Sequence, residues 1–317
     1  MPRKASAPPT GDPPTAVLTV FRLAALFTFL AVAMGAVVCA TGSGAACPTW
    51  PGCRPDQITP QWQLSPIIEF THRVVAMTAG PLVLAAAVLS RRLHGPNRWV
   101  RILPWVALVG ALAAGAFGRL VVVSTLATWL GAVDLFAALT AMTSMGVAAV
   151  MVGAPTPDST SPAEWHPVLV GRLAATSLTV LVTLHVTGIL AAGRGSYTRC
   201  MGWPIWHRID SDLHPWLQDL RLGLAGLGAV LVVTTAVVAV RSERLRRWGI
   251  VLATLFAAEM VLGLVIRTWE LNTGVAAAYS VLAVALVSCL GLLMAVAWSA
   301  QVATVDIALH VDQPTSA

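Results

Sequence analysis

Three ionisable side chains fall close together at the start of an apolar stretch, in Ile68-Glu69-Phe70-Thr71-His72-Arg73. On a helix, spacings of three and four place Glu69, His72 and Arg73 around one face. Ionisable groups at membrane depth are costly and usually face a cavity or a bundle interior. Two chemistries suit the trio. In the first, His72 ligates haem iron or another metal, Glu69 is an acid/base carboxylate, and Arg73 meets an anionic group. In the second, Glu69 and Arg73 form an ion pair beside a hydrogen-bonded interfacial histidine. Spacing alone leaves both open.

Cys47 and Cys53 flank Pro-Thr-Trp-Pro-Gly. On an oxidising side of a membrane such a pair reads as a disulfide; a redox-active pair or two free thiols are the alternatives. Cys200 has no second cysteine close after it, and Cys39 and Cys289 lie in apolar runs, where a thiol is usually inert core. Asp134 and Glu259 sit inside apolar stretches and must be protonated, paired or facing water. They could carry protons or simply bond a neighbouring helix. His185, in another apolar run, is a candidate axial ligand or a satisfied packing residue, and His207 and His214 lie between runs. His94 and His310 are read as uninvolved.

The elements that hold these residues are membrane-spanning helices. The chain has 317 residues, 57% hydrophobic and 11% charged, with a mean hydropathy of +0.77. A soluble domain carries about 25% charged residues, so these charges could not coat a soluble globule. Spans need about 20 mostly apolar residues, and eight such runs are predicted: 17–40, 66–89, 100–118, 128–152, 168–192, 221–240, 248–266 and 273–299. The first is too long and too late for a cleavable signal peptide. The net charge of +6 comes from short clusters between runs, which argues for topology signals and against nucleic acid. Arg3, Lys4, Arg22, Arg91, Arg92, Arg98, Arg101, Arg172, Arg241, Arg244, Arg246 and Arg247 fall on one side. The other side includes Arg73, Arg119, Arg221 and Arg267, at span ends and expected to be packed. Both termini are therefore expected to be cytoplasmic, in a multi-pass protein of the cell (plasma) membrane. Trp62, Trp99, Trp129, Trp165, Trp203, Trp248 and Trp269 fall near span ends, where indoles prefer the headgroup layer.

The halves repeat. Gly35, Gly42, Cys47, Trp50 and Pro51 match Gly188, Gly195, Cys200, Trp203 and Pro204 at an offset of 153 residues. Further on, Arg73 matches Arg221 and Arg119 matches Arg267 at an offset of 148. The expected organisation is an all-α, polytopic fold of two tandem four-helix repeats. Residues 1–16 form a mobile cytoplasmic N-terminus, 17–152 the first repeat, 153–167 a cytoplasmic linker, 168–302 the second repeat and 303–317 a cytoplasmic tail.

The run Thr41-Gly42-Ser43-Gly44 through Cys47-Pro48-Thr49-Trp50-Pro51-Gly52-Cys53, followed by Glu69-x-x-His72-Arg73, resembles haem A synthase, the cytochrome oxidase assembly enzyme. Glu259-Met-Val-Leu-Gly263 looks like the family too, which more usually has a glutamine near Glu259. The resemblance covers essentially the whole chain. It implies oxidation of the C8 methyl of haem O to the formyl group of haem A, with substrate haem in one half and a haem b cofactor in the other. It also implies a histidine pair for each haem, from spans two and four and from spans six and eight. By it, His72 is a haem ligand with Arg73 beside it, Glu69 is a catalytic carboxylate, and Cys47–Cys53 is the outer-loop disulfide. The chain departs from that pattern: Asp134 stands where the fourth-span histidine is expected, Leu220-Arg221 replaces the sixth-span His-Arg, and no histidine lies near Tyr279 or Ser280. His185, His214 and Asp134 are the remaining candidate ligands.

Three functions compete on these grounds. The first is a divergent haem A synthase, with haem O and the haem O-producing enzyme as partners. The second is a non-catalytic haem-binding or oxidase-assembly relative. The third is a proton-coupled transporter built on Asp134 and Glu259, against which no span shows the broken helix expected of a transporter site. Oligomerisation is left open.

Overall fold

The structure, a computed structural model, describes residues 13–50, 52–55, 57–93, 97–123, 128–154, 166–191, 200, 215–268 and 272–311. They form eight helices: α1 (Thr15–Ala40), α2 (Leu64–Ser90), α3 (Arg98–Val123), α4 (Thr128–Val152), α5 (His166–Ala191), α6 (Pro215–Arg241), α7 (Arg246–Thr268) and α8 (Thr273–Val311). All eight are long and apolar enough to cross a membrane. A lipid interior requires every backbone N–H and C=O to bond within its own segment, which a helix satisfies. The fold is all-helical, and the chain is a multi-pass membrane protein.

Three boundaries differ by more than two residues from the sequence expectation, the first being the end of α3 at Val123 instead of 118. Helix α6 begins at Pro215, six residues before the predicted start at 221. Proline suits a first helical position because its missing N–H would have had no partner there. Arg221 is thereby drawn into the bundle, where it is fully buried. Helix α8 continues to Val311, through the start of the expected tail. Residues 1–12 lie outside the described residues, as do most of the expected linker and the loop containing His207 and His214.

The helices α1–α4 pack in a ring, α1 on α2, α2 on α3, α3 on α4 and α4 back on α1. Helices α5–α8 do the same in the order α5, α6, α7, α8. The rings meet through α1 on α8, α4 on α5 and α4 on α8. Where α3 meets α4, a β-carbon on Gly110 would lie 2.7 Å from the Ala137 carbonyl oxygen. Where α7 meets α6, one on Gly249 would lie 2.8 Å from the Val240 nitrogen. Small residues allow such approach between membrane helices.

The core divides unevenly. One apolar cluster joins α5–α8 to the facing sides of α1 and α4, through Leu139, Met142, Leu181, Leu184, Val232, Leu252, Val284 and Leu290. The other lies mainly in α1–α4, built from Phe21, Ala24, Val83, Ala86, Val100, Ala107, Met145 and Met151, and is joined by Ala295 of α8. On their helices those residues sit toward the end bearing the two termini, called here the terminal face; the opposite end is the distal face.

Cysteine pairing departs from the sequence reading. Cys47 and Cys53 are disulfide-bonded, and Cys289 is a buried free thiol. Cys39, however, is not an inert span residue: it pairs with Cys200, 161 residues away. The last turn of α1 brings Cys39 to the distal face, and Cys200 precedes α6 on the same face. This bond joins α1 of the first ring covalently to the segment between α5 and α6 of the second. A protease site inserted between residues 155 and 163 should give, after cleavage, two fragments that migrate together on non-reducing gels and apart on reducing gels. Cys39→Ser or Cys200→Ser should separate them under both conditions; separation of the native pair without reductant would contradict the bond.

Candidate functional site

Helix α1 ends in a turn that folds the next residues back over the bundle. Gly42 has a φ of 66°, the left-handed conformation glycine adopts at a helix C-terminus. The Ser43 N–H donates to the Val38 carbonyl at 2.9 Å and the Gly42 N–H to the Cys39 carbonyl at 3.1 Å, the two bonds of a Schellman stop. The hydroxyls of Thr41 and Ser43 lie 2.7 Å apart. The chain then carries Cys47 to the first turns of α2.

There Glu69 and Arg73 hold it. One oxygen of Glu69, Oε2, accepts the Cys47 N–H at 2.8 Å. The other, Oε1, is salt-bridged to Arg73 Nη2, and both side chains are buried. Arg73 Nη2 also donates to the Cys47 carbonyl at 2.9 Å. Its Nη1 donates to the Gly52 carbonyl at 3.0 Å and to the Thr49 carbonyl. One guanidinium thus gathers three carbonyls of the Cys47–Cys53 loop and a carboxylate. Arg's planar fork of donors makes this possible; lysine's single ammonium would not span it. The Thr49 hydroxyl closes the loop on itself by donating to the Gly52 carbonyl at 3.1 Å. On the outside, the Arg119 guanidinium lies 5.7 Å from the centre of the Trp50 ring, tying the loop to α3. Arg119 is exposed, not packed as its span-end position suggested.

The ion pair, one of the two readings left open by the spacing, is therefore formed. His72 does not join it. Its ring lies across α1, with Cε1 3.2 Å from where a β-carbon on Gly35 would stand. Its Nδ1 is buried and makes no well-formed hydrogen bond among the described residues, although the Ala31 backbone of α1 is near enough to interact with the ring.

Below the latched loop several small residues of the first ring are left exposed or half-buried. Along α2, Glu69, Ala76, Gly80, Val83 and Ala87 form one stripe. Glu69, Val83 and Ala87 are buried, but Ala76 between them is exposed and Gly80 is half-buried. A β-carbon on Gly80 would meet nothing within 4 Å. On α3, the buried run Pro104, Ala107 and Gly110 continues as half-buried Ala111 and Ala114 and exposed Gly118. Asp134 on α4 is half-buried and has no side-chain hydrogen bond or ion pair among the described residues.

The remaining candidates lie in the second ring. His185 is buried on α5, and Glu259, Arg221 and Tyr279 are fully buried on α7, α6 and α8. Arg221 is close enough to Tyr279 for the two to interact electrostatically. Leu220, which occupies the position of the sixth-span histidine, is 42% exposed. His214 lies outside the described residues. Sequence reasoning missed Cys39 as a bonded residue and missed the openness at Ala76 and Gly80. The offset that matched Cys200 to Cys47 was a signal of a distal-face cysteine, but it could not name Cys39 as its partner.

A helical membrane protein with a latched disulfide loop above an open four-helix interior, bordered by a histidine, is the class that fold and site define. The profile of the cytochrome oxidase assembly protein family matches residues 19–291, and the chain belongs to that family, which includes haem A synthase. Relatives named haem A synthase are distant. That of Geobacillus kaustophilus is 26% identical over 306 residues, covering 91% of this chain and 92% of its own. That of Exiguobacterium sibiricum is 26% identical over 246 residues, covering 75% and 81%. A protohaem IX farnesyltransferase of Halobacterium salinarum is 34% identical over 94 residues, 30% of this chain and 20% of its own.

The family implies haem, and the first ring has features that fit one. It offers an imidazole with a nitrogen free of well-formed bonds, a glycine that makes room for the ring, and open space at Gly80. Arg73→Ala would leave Glu69 buried without its charge partner, a change that costs about 3 kcal/mol or more. It should lower thermal stability and speed reduction of Cys47–Cys53 at least tenfold, read as alkylation of the two thiols after mild reductant. Unchanged alkylation would show that the loop does not depend on the latch.

Proposed function

We propose that this protein is a haem A synthase-type oxidoreductase that oxidises the C8 methyl of haem O to the formyl of haem A, with haem O held in the first ring on His72. The observation that carries the reading is the placement of His72 at an open interior, in a chain whose family match covers residues 19–291. Converting a methyl and one water to a formyl group releases four protons and four electrons, the electrons passing to an oxidant outside the chain. The iron of the bound substrate supplies the redox centre at which such oxidation begins. The chain's own residues do the rest. His72 orients the substrate, and the small side chains of Ala76, Gly80 and Ala114 leave room for its ring. Arg73 and Glu69 hold the disulfide loop over the distal end and limit entry of water. Asp134, half-buried on α4, is the carboxylate to which we assign proton uptake. Glu69 acts on the reaction by positioning the loop.

The wider arrangement follows the same reading. Two four-helix units, residues 17–152 and 168–302, are related by a repeat. Its support is that each helix neighbour in the first ring recurs four helices later, and that α1 on α8 mirrors α4 on α5. Both termini are cytoplasmic, because Arg91, Arg92, Arg98, Arg101, Arg241, Arg244, Arg246 and Arg247 all stand at helix ends of the terminal face. The distal face, with its two disulfides, is then on the oxidising side of the plasma membrane. The enzyme that makes haem O is the expected partner, because haem O is the proposed substrate. A transporter is disfavoured because the eight helices run unbroken through the described residues.

Membranes expressing the chain with haem O should form haem A, measured by chromatography of extracted haems. His72→Ala should abolish both retained haem O and product. Gly35→Ala, which pushes the imidazole by a few tenths of an ångström, should reduce both without abolishing them. Haem O retained on His72 with no haem A formed would make the protein a haem-binding assembly relative instead.

A further inference from the structure

Under the repeat, the second ring should offer the same interior as the first. It does not. At the offset of 148 residues that aligns Arg73 with Arg221, Ala111 of α3 corresponds to Glu259 of α7, Ala114 to Leu262 and Gly118 to Ile266. These three small residues of the first ring are larger ones in the second, while Gly115 corresponds to another glycine, Gly263. Ala76 corresponds to Leu224, and Gly80, beside open space, corresponds to Gly228, which is buried. Leu224, Leu262 and Ile266 pack against the main apolar core.

Leu224, Leu262 and Ile266 are half-buried, and the residues that face inward between them are buried. Arg221, Ala225, Glu259, Tyr279, Ser280 and Ala283 come from α6, α7 and α8, and each has 0% exposure. Leu181, Leu184 and His185 of α5 are no more than 3% exposed. A porphyrin-sized void would leave exposed surface on the side chains lining it, as the first ring does at Ala76. The donors do not fit either. Leu220, at the expected histidine position, has no lone pair and is 42% exposed. Tyr279 and Ser280 occupy the other expected position, and Arg221 lies against Tyr279.

We infer that the second four-helix unit holds no haem, so that the chain carries a single haem site, in the first unit. In place of a cofactor, Arg221, Tyr279, Glu259 and His185 make a buried polar core there. The oxidant of a substrate bound on His72 must then approach the first unit itself, because no second haem lies within the chain to relay electrons. That haem binds the chain at all rests on the proposed function; the closure of the second unit does not.

The test is a spectroscopic titration of the purified full chain, in lipid nanodiscs, with ferric haem b. The Soret change should saturate at one equivalent. It should vanish in His72→Ala and persist at one equivalent in His185→Ala and Tyr279→Phe. Two equivalents in the native chain would overturn the inference without need of any variant. So would one equivalent that survives His72→Ala and is lost in Tyr279→Phe or His185→Ala. No binding by the native chain would overturn the proposed function while upholding the closure of the second unit.

Discussion

The guanidinium of Arg73 organises the distal end of the first ring. A loop of seven residues containing two prolines and a glycine cannot satisfy its own carbonyls by regular structure. Three of them turn inward to Arg73 instead, and Glu69 balances the charge while accepting the Cys47 N–H. A buried ion pair is weak evidence for stability by itself, since desolvation offsets much of its attraction. Its value here is geometric. It fixes where the loop lies, and the loop decides what the space beneath it can admit.

That space exists because the side chains around it are small. The two rings share helix order and neighbours, yet one is lined by Ala76, Gly80, Ala111, Ala114 and Gly118 and the other by Leu224, Gly228, Glu259, Leu262 and Ile266. In a close-packed interior such differences decide whether a cavity persists or collapses. The same scaffold thus yields one unit with exposed small residues beside an imidazole and another with buried polar groups at its centre. The Cys39–Cys200 bond ties one to the other at the distal face, where the latched loop also sits.

Much of this was legible in the sequence, for identifiable reasons. Eight apolar runs mark eight helices because lipid leaves the backbone no alternative. The start of α6 was missed because Trp216, Gln218 and Asp219 dilute the apolar signal while remaining helical. Glu69 and Arg73, one turn apart, could be seen as a pair, but their grip on the loop depends on the turn at Gly42, which no spacing reveals. The Cys39–Cys200 bond joins positions 161 residues apart and follows only from how the rings are placed. The absence of three expected histidines could be read directly. What replaced them, a filled interior, required knowing which faces of α7 and α8 turn inward.

The central claim, one haem site and that one in the first ring, is tested most directly by a cryo-EM density map of the full chain purified from haem-replete membranes. The expected result is a single porphyrin among α1, α2, α3 and α4, with its iron on His72 and the Cys47–Cys53 loop closed above it. The contradicting result is porphyrin density among α5, α6, α7 and α8, with the side chains of Tyr279, Glu259 and Ile266 swung aside to admit it.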